Sequence, residues 1–251
     1  MTMKNNPAFP RDSAYALYVS QEHECSYLPD EQARTLFLDP AAKVDSNLYQ
    51  HLIDRGFRRS GQYLYQPACP QCEACISLRI PVQDFTPNRS QRRNWQVNQS
   101  KLEITPCPVA FSREHFDLYT KYQRLRHADG AMACSDPDQY MKFLTCDWAD
   151  TLFYEFRAEG ILVAVAVTDI LPAGLSSIYT FFDPVRQRDG LGVFAILWQI
   201  QQAVALGKQW VYPGFWIEGC NKMNYKSQYR PLEAWNGKTW VKFEQKQPLK
   251  F

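Results

Sequence analysis

The segment from residue 151 to residue 184 limits the folds open to this chain more than any other. It reads TLFYEFRAEGILVAVAVTDILPAGLSSIYTFFDP, three apolar runs joined by a Glu-Gly turn and a Pro-Ala-Gly turn. Runs of β-branched and aromatic residues between such short turns predict strands that pair with their neighbours. We therefore expect a three-stranded antiparallel meander that ends at Asp183-Pro184.

Patterns on both sides of the meander place it within a larger fold. A helix is predicted from Arg113 to about His127, with Ser112 as its N-cap, and a second helix follows. After the meander come GLGVFAILWQIQQAVALGK, a predicted helix, and QWVYPGFW, a strand predicted to stop at Pro213-Gly214. This order is similar to the acyl-CoA N-acetyltransferase core, so the expected fold class is α/β (α+β).

Two prolines indicate where the chain divides. The stretch TPCP at 105–108 is expected to oppose regular structure, because proline lacks the amide hydrogen of a ladder bond. We place a domain boundary there. The expected parts are an N-terminal cysteine-containing domain at 1–105 and a C-terminal acetyltransferase-like (GNAT-like) domain at 106–251.

The segment before the last predicted helix contains a phosphate-binding pattern. It reads VRQRDGLG, in which Gln187, Gly190 and Gly192 fit the Gln-x-x-Gly-x-Gly pyrophosphate loop of acetyltransferases. Glycines let backbone amides approach a phosphate, and a helix N-terminus adds partial positive charge. Arg186 and Arg188 add full charges, so this loop is predicted to bind phosphate groups.

Three cysteines at a regular spacing, Cys69, Cys72 and Cys75, stand in QPACPQCEACISLRIPV. Such thiolates can turn toward one ion, and Cys25 and His23 are the candidates for the fourth ligand of a closed zinc site. An iron–sulfur cluster uses the same spacing, and three buried thiols that pack as small apolar residues are the alternative. The chain has eight cysteines and shows no export signal, which favours reduced thiols and a cytoplasmic location.

The charge balance bears on how nucleic acid would bind. Lys and Arg number 28 against 26 Asp and Glu, a net charge of +2, which excludes a general basic coat. A local patch is predicted at 88–95, NRSQRRNW, with Arg89, Arg92 and Arg93 for phosphates and Trp95 for stacking. A solvated face is the alternative. No apolar run reaches membrane-spanning length, so no membrane partner is expected.

The densest group of functional residue types follows the strand QWVYPGFW. The block YPGFWIEGCNKMNYKSQY mixes apolar groups with Asn, Glu and Lys, which is more typical of a cleft than of a core stripe. The candidate cleft residues in this block are Trp216, Glu218, Asn221, Met223, Tyr225 and Lys226. Tyr179 and Asp183, near the end of the meander, are expected to face the same cleft.

Three sequence blocks in a fixed order give the chain a family resemblance. CSYLPDEQARTLFLDP, GFRRSGQYLYQPACPQCEACISLRIPV and YPGFWIEGCNKMNYKSQYRPLE resemble the arginyl-tRNA–protein transferase family, most closely its bacterial branch. The resemblance implies transfer of leucine from leucyl-tRNA to proteins that begin with Asp or Glu, in N-degron protein degradation. Members specific for arginine commonly carry Cys-x-x-Cys where this chain reads CSYL, with Leu28 in the second cysteine's place. That departure weighs against a metal site on that pair.

The implied chemistry needs little beyond positioning. The leucyl ester is already activated, and an α-amine with a pKa of about 7.7–8.0 is partly neutral at cellular pH. Orienting two substrates supplies on the order of 7–11 kcal/mol, so no cofactor is required for the chemistry. The residues predicted to serve the reaction directly are Tyr179, Asp183, Tyr225 and Lys226. A fixed cation would bind the side-chain carboxylate of the acceptor's N-terminal Asp or Glu. The candidates are Arg58, Arg59, Arg79 and Lys226.

Other functions remain open at this point. Arginine instead of leucine as the donated residue would use the same acceptors. An acetyl-CoA-dependent N-acyltransferase would use the same glycine loop. A zinc-bearing nucleic-acid-binding protein would need no catalysis.

Overall fold

An eight-stranded sheet and a four-stranded sheet organise the protein, whose computed structural model describes residues 15–126, 136–220 and 222–250. The strands are β1 (Leu17–Val19), β2 (His23–Glu24), β3 (Gln32–Ala33), β4 (Thr35–Leu38), β5 (Arg58–Ser60), β6 (Tyr63–Pro67), β7 (Cys75–Pro81), β8 (Glu103–Cys107), β9 (Thr151–Ala158), β10 (Ile161–Ile170), β11 (Gly174–Phe182), β12 (Trp210–Ile217), β13 (Leu232–Trp235) and β14 (Trp240–Phe243). The α-helices are α1 (Ser46–Ile53), α2 (Arg89–Gln99), α3 (Arg113–Arg126), α4 (Pro137–Leu144) and α5 (Leu191–Ala205), and 3-10 helices span Pro184–Asp189 and Asn224–Gln228.

Helix α3 confirms the helix predicted from Arg113, and its predicted last residue, His127, lies outside the described residues. The amide of His115 donates to Ser112 Oγ at 3.4 Å, as expected of an N-cap. None of the described helices combines the length and the apolarity needed to cross a bilayer.

The large sheet confirms the predicted fold class and the acetyltransferase-like order. Its strands lie in the order β14-β13-β7-β12-β11-β10-β9-β8. The strands β9, β10 and β11 pair antiparallel as the predicted meander, and β12 returns parallel to β11 after helix α5. Helix α5 buries Phe194, Ala195 and Trp198 against Tyr154 and Phe156 of the sheet. The apolar runs of the chain's second half thus form both the central strands of the sheet and the helix that packs on it.

One strand of the large sheet comes from the first half of the chain. Strand β7 lies between β12 and β13, so segments 1–105 and 106–251 share one sheet. The boundary predicted at 105/106 falls within β8, and the expectation that TPCP opposes regular structure is wrong. Strand β8 lies at the edge of the sheet beside β9, where a proline without an amide hydrogen is tolerated.

Strands β11 and β12 separate after a short common stretch. Their parallel pairing covers Gly174–Ser176 against Trp210–Tyr212, although both strands continue well beyond it. The prediction that the strand stops at Pro213-Gly214 is wrong, because the pairing of β12 with β7 shifts register there and resumes. Gly214 has a φ of +92°, a conformation that glycine adopts without a Cβ clash. A gap therefore opens between the outer halves of β11 and β12.

The small sheet is joined to the large sheet by a buried ion pair. Its strand order is β1-β4-β6-β5, and β5 carries the adjacent Arg58 and Arg59. The guanidinium of Arg59 contacts Asp169 of β10 at 2.6 Å (Nε–Oδ2) and 2.7 Å (Nη2–Oδ1), and both side chains are fully buried. Tyr49 and Thr151 donate hydroxyl hydrogen bonds to the same carboxylate at 2.9 and 2.7 Å. These charge-assisted bonds fix β5 and helix α1 on the large sheet.

Breaking this pair should destabilise the fold strongly. Asp169→Asn leaves buried Arg59 without a counter-charge, and removal of one partner of a buried pair costs about 3–5 kcal/mol. We expect a loss of that size in the free energy of unfolding measured by urea titration. The control is Glu114→Gln, which removes an exposed partner of Arg157 and should cost less than about 1 kcal/mol. Equal losses in the two variants would contradict the role given to Asp169.

Candidate active site

Two aromatic side chains with polar tips come from the elements that flank the gap, β11 and the 3-10 helix after β12. Tyr179 of β11 accepts a hydrogen bond from Gln123 Nε2 of α3 at 3.3 Å and packs edge-on against Tyr122. Tyr225 comes from the 3-10 helix Asn224–Gln228, which follows β12. Burial raises the pKa of Tyr179 and of Tyr225, and Tyr122 raises both further. Both phenols therefore stay protonated at neutral pH and present O–H donors.

Two of the four cations predicted to bind the acceptor carboxylate already form ion pairs within the protein. Arg59 is bound by Asp169 in the core. Arg79 contacts Glu233 at 2.6 Å and Asp54 at 3.3 Å. The charges of both arginines are thus balanced inside the protein, and their contacts are explained without a substrate.

The other two cations, Arg58 and Lys226, are buried without such partners. Among the residues that the structure describes, no carboxylate lies within ion-pair distance of either. Arg58 Nη1 and Nη2 donate to the carbonyls of Phe57 and Leu78, each at 2.8 Å. Lys226 Nζ donates to the carbonyl of Phe215 at 3.0 Å. Burial first, and then the charge of nearby Arg58, lower the pKa of Lys226 to about 8.

The remaining candidates of the C-terminal block differ in burial. Trp216 is buried against β13 and β14, on the face of β12 opposite Phe215. Met223 packs with Phe215 in an apolar cluster to which the small sheet also contributes. Glu218 is exposed, and Asn221 lies outside the described residues. Their roles as substrate-binding residues stay predictions.

Asp183 joins the end of β11 to the 3-10 helix Pro184–Asp189. Its carboxylate accepts a hydrogen bond from the Val185 amide at 3.1 Å and pairs with Lys121 of α3 at 2.8 Å. Burial opposes ionisation, but the bond from Lys121 holds the pKa of Asp183 below its ordinary value. These contacts are those of a helix cap, and the catalytic role predicted for Asp183 stays a prediction.

The cysteines meet beside the apolar cluster around Phe215. Burial raises the pKa of Cys75 to about 12, and the neighbouring Cys25, Cys69, Cys72 and Cys220 contribute to the rise. In the described ranges, however, no group of three His, Cys, Asp or Glu side chains is arranged to hold one metal ion. The zinc or iron–sulfur site at Cys25, Cys69, Cys72 and Cys75 stays a prediction.

The predicted phosphate loop lies against helix α2. Asn94 Nδ2 donates to the carbonyls of Asp189 and Gly190 at 3.0 and 3.2 Å. Gly190 has a φ of +64°, and a Cβ there would lie 2.5 Å from Asn94 Nδ2. The positive φ therefore favours glycine here whether or not a phosphate binds, and a Cβ would also displace the amide of Asn94. At Gly192 a Cβ would make an ordinary contact of 3.6 Å, and the phosphate role of Gln187, Gly190 and Gly192 stays a prediction.

Sequence reasoning missed residues that shape the site through distant contacts. Tyr65 of β6 lies with its ring centre 6.0 Å from that of Phe215. Gln123 holds Tyr179, and a Cβ at Gly214 would lie 3.3 Å from Lys226 Nζ. Of these residues, only Gly214 belongs to a recognisable sequence pattern, the Pro213-Gly214 pair that predicts a strand end. The glycine instead makes room for the lysine.

Known proteins resemble this chain over most of its length. The family models "Arginine-tRNA-protein transferase, N terminus" and "Arginine-tRNA-protein transferase, C terminus" match residues 23–93 and 114–236. An aspartate/glutamate leucyltransferase of Pseudomonas fluorescens (strain Pf0-1) is 53% identical over 224 residues, 89% of this chain and 95% of the relative. The enzyme of that name in Pseudomonas aeruginosa (strain LESB58) is 52% identical over the same shares. The solved structure of L-PGS from Bacillus licheniformis is 12% identical to this chain. The match covers 57% of this chain and 46% of that one, with a TM-score of 0.45.

The relatives are named leucyltransferases, which places this chain with enzymes of the acyl-transferring class. The two family models match the chain on both sides of residue 105, which narrows the class to one family. This chain belongs to the arginine-tRNA-protein transferase family.

Lys226 allows a pH-dependent test of the site's burial. Its pKa is lowered from 10.5 to about 8, so between these values the unfolded chain binds more protons than the folded protein. The lysine therefore destabilises the fold below pH 8, and the penalty disappears as pH rises through 10.5. Relative to Lys226→Met, the wild-type free energy of unfolding should rise by about 3 kcal/mol over this range.

Guanidinium unfolding at a series of pH values between about 7 and 10.5 measures this difference. The exposed Lys101 provides the control, because Lys101→Met should show the pH dependence of the wild type. A difference between wild type and Lys226→Met that stays constant with pH would contradict the desolvation of Lys226.

Proposed function

We propose that this protein transfers leucine from leucyl-tRNA to the α-amine of proteins that begin with Asp or Glu, marking them for N-degron degradation in the cytoplasm. The observation that carries the proposal is 53% identity to an aspartate/glutamate leucyltransferase over 95% of that relative's length. The site has features suited to the reaction: an apolar cluster for a leucyl side chain, protonated phenols and buried cations.

The proposed step joins an activated ester to an amine. The neutral α-amine attacks the leucyl carbonyl, the bond to the ribose oxygen breaks, and the amine's proton is lost while the ribose hydroxyl gains one. Tyr179 and Tyr225 keep their phenolic protons, so they are suited to donate hydrogen bonds to the developing oxyanion. Lys226 contacts Phe215 and serves the acceptor side of the site. The step requires no cofactor, because orientation supplies most of the acceleration.

A basic surface near the predicted phosphate loop is proposed to bind the tRNA. Asn94 and Asn98 of α2 donate to the Asp189 carbonyl, which holds α2 beside the 3-10 helix Pro184–Asp189. The exposed cations of these two neighbouring elements are Arg89, Arg92, Arg93 and Arg188, joined by the partly exposed Arg186. Arg126 at the end of α3 lies over the Phe182 ring at 5.8 Å and extends the same surface. Clustered exposed arginines are suited to phosphate contacts.

Loss of these arginines should weaken tRNA binding in a salt-dependent way. Arg93→Ala and Arg188→Ala should each reduce the slope of log K against log salt by about 0.7–0.9, because each phosphate contact releases a counterion. The control is Arg113→Ala at the start of α3, where the side chain is exposed and paired with Asp117. Filter binding of leucyl-tRNA at several salt concentrations measures the slopes. Slopes equal to that of the wild type in both variants would remove this surface from the proposal.

Transfer itself is tested with purified protein, charged tRNA and short peptides. An Asp- or Glu-initiated peptide should gain one leucine from leucyl-tRNA without ATP or coenzyme A, as read by mass spectrometry. Arginyl-tRNA and acetyl-CoA serve as competing donors in parallel reactions. Modification by arginyl-tRNA alone would point to the arginyl activity, and acetylation would point to an acetyl-CoA-dependent enzyme. tRNA binding without any transfer would contradict an enzymatic role.

A further inference from the structure

Two buried cations approach Phe215 from different elements. Arg58, on β5, has its guanidinium carbon 5.7 Å from the centre of the Phe215 ring. Lys226, on the 3-10 helix Asn224–Gln228, donates from Nζ to the Phe215 carbonyl at 3.0 Å. The exposed fraction is 5% for Arg58 and 9% for Lys226, so both charges are withdrawn from water. The two also act on each other, since Arg58 contributes to the lowered pKa of Lys226.

In the part of the chain that the structure describes, Arg58 and Lys226 form no ion pair, and Asp54 acts on Arg58 only from beyond ion-pair distance. Arg58 Nε is buried without a hydrogen-bond partner, and the carbonyls that accept from its Nη atoms are neutral. The next residue, Arg59, has the carboxylate of Asp169 instead. A buried charge without a counter-charge is unfavourable, and a second like charge nearby adds to the cost. An anion that binds between Arg58 and Lys226 would remove both penalties.

A cavity of about 640 Å³ lies next to Phe215. Phe57 and Phe215 line it, together with the cysteine loop that contains Cys69, Cys72 and Cys75. The carbonyl of Phe57 accepts from Arg58 Nη1, so Arg58 lies directly behind this lining. The charged residues of the lining are Arg55, Glu73 and Lys238. Neither Arg58 nor Lys226 lines the cavity, which would bring the end of a polypeptide as far as the wall formed by Phe57 and Phe215 in front of them.

We propose that Arg58 and Lys226 together bind the side-chain carboxylate of the acceptor's N-terminal Asp or Glu, an assignment that rests on the proposed function. Arg58 Nε and Lys226 Nζ supply the two charge-assisted donors. An N-terminal Asn or Gln has nearly the same shape but no charge, so it leaves both cations unpaired. Acceptor selection then comes from the balance of buried charge, and the cysteine loop forms one wall of the acceptor's entrance.

The ratio of kcat/KM for an Asp-initiated peptide to that for the matching Asn-initiated peptide tests the assignment. Both peptides meet the same folded enzyme, so the ratio does not depend on how much of a variant folds. Arg58→Gln and Lys226→Met should each lower the ratio by about tenfold or more, since a charge-assisted bond is lost. Arg230→Gln is the matched control, because Arg230 is also buried and donates to a carbonyl, that of Ser227. Its ratio should stay at the wild-type value.

A wild-type ratio in either Arg58→Gln or Lys226→Met would overturn the paired site. An equal fall of the Asp-to-Asn ratio in Arg230→Gln would also overturn the paired site, because the loss of any buried arginine would then lower acceptor selectivity. Failure of the proposed function looks different: the wild-type protein would transfer no leucine to either peptide.

Proton uptake by the wild-type protein gives a second test that needs no variant. A bound carboxylate should stabilise the charged form of Lys226, on which Arg58 and Cys220 also act. At about pH 8.5 an Asp peptide should therefore take up roughly half a proton more than an Asn peptide. Calorimetric titration in two buffers of different ionisation enthalpy measures the difference. Equal uptake for the two peptides would contradict the proposal even if every variant were inactive.

Discussion

The geometry of the site depends on the buried pair between Arg59 and Asp169. Successive side chains of a strand point to opposite faces. With Arg59 bound to Asp169 of β10, Arg58 points the other way, toward Leu78 of β7 and Phe215 of β12. Tyr49 donates to the same carboxylate and so holds helix α1 in place. One ion pair thus joins the two sheets and also orients the neighbouring cation.

The separation of β11 from β12 gives the site its second half. Strand β12 pairs with β11 only as far as Tyr212, whereas its other edge stays paired with β7, a strand from the other half of the chain, as far as Ile217. The positive φ of Gly214 lets β12 pass close to the side chain of Lys226, whose Nζ reaches the Phe215 carbonyl. Both cations therefore meet at Phe215, in the part of β12 that lies beyond its pairing with β11.

Local patterns predict the meander, helix α5 and the cap of α3, because the apolar runs and turn residues of each lie in one contiguous segment. They do not predict that β7 enters the sheet between β12 and β13, since that pairing joins residues far apart in the chain. The adjacent Arg58 and Arg59 are equivalent in the sequence, and only Asp169, 110 positions after Arg59, distinguishes them. The residue types of the site are therefore predictable, whereas the long-range contact that gives Arg59 but not Arg58 a carboxylate partner is not.

The central claim is that buried positive charge without an internal partner selects the acceptor. A crystal structure of the protein with a bound Asp-initiated peptide tests it most directly. We expect carboxylate oxygens within about 2.7–3.2 Å of Arg58 Nε and Lys226 Nζ. The Arg59–Asp169 pair should be unchanged in the same structure. A peptide carboxylate bound away from Phe215, with both cations still unpaired, would contradict the account.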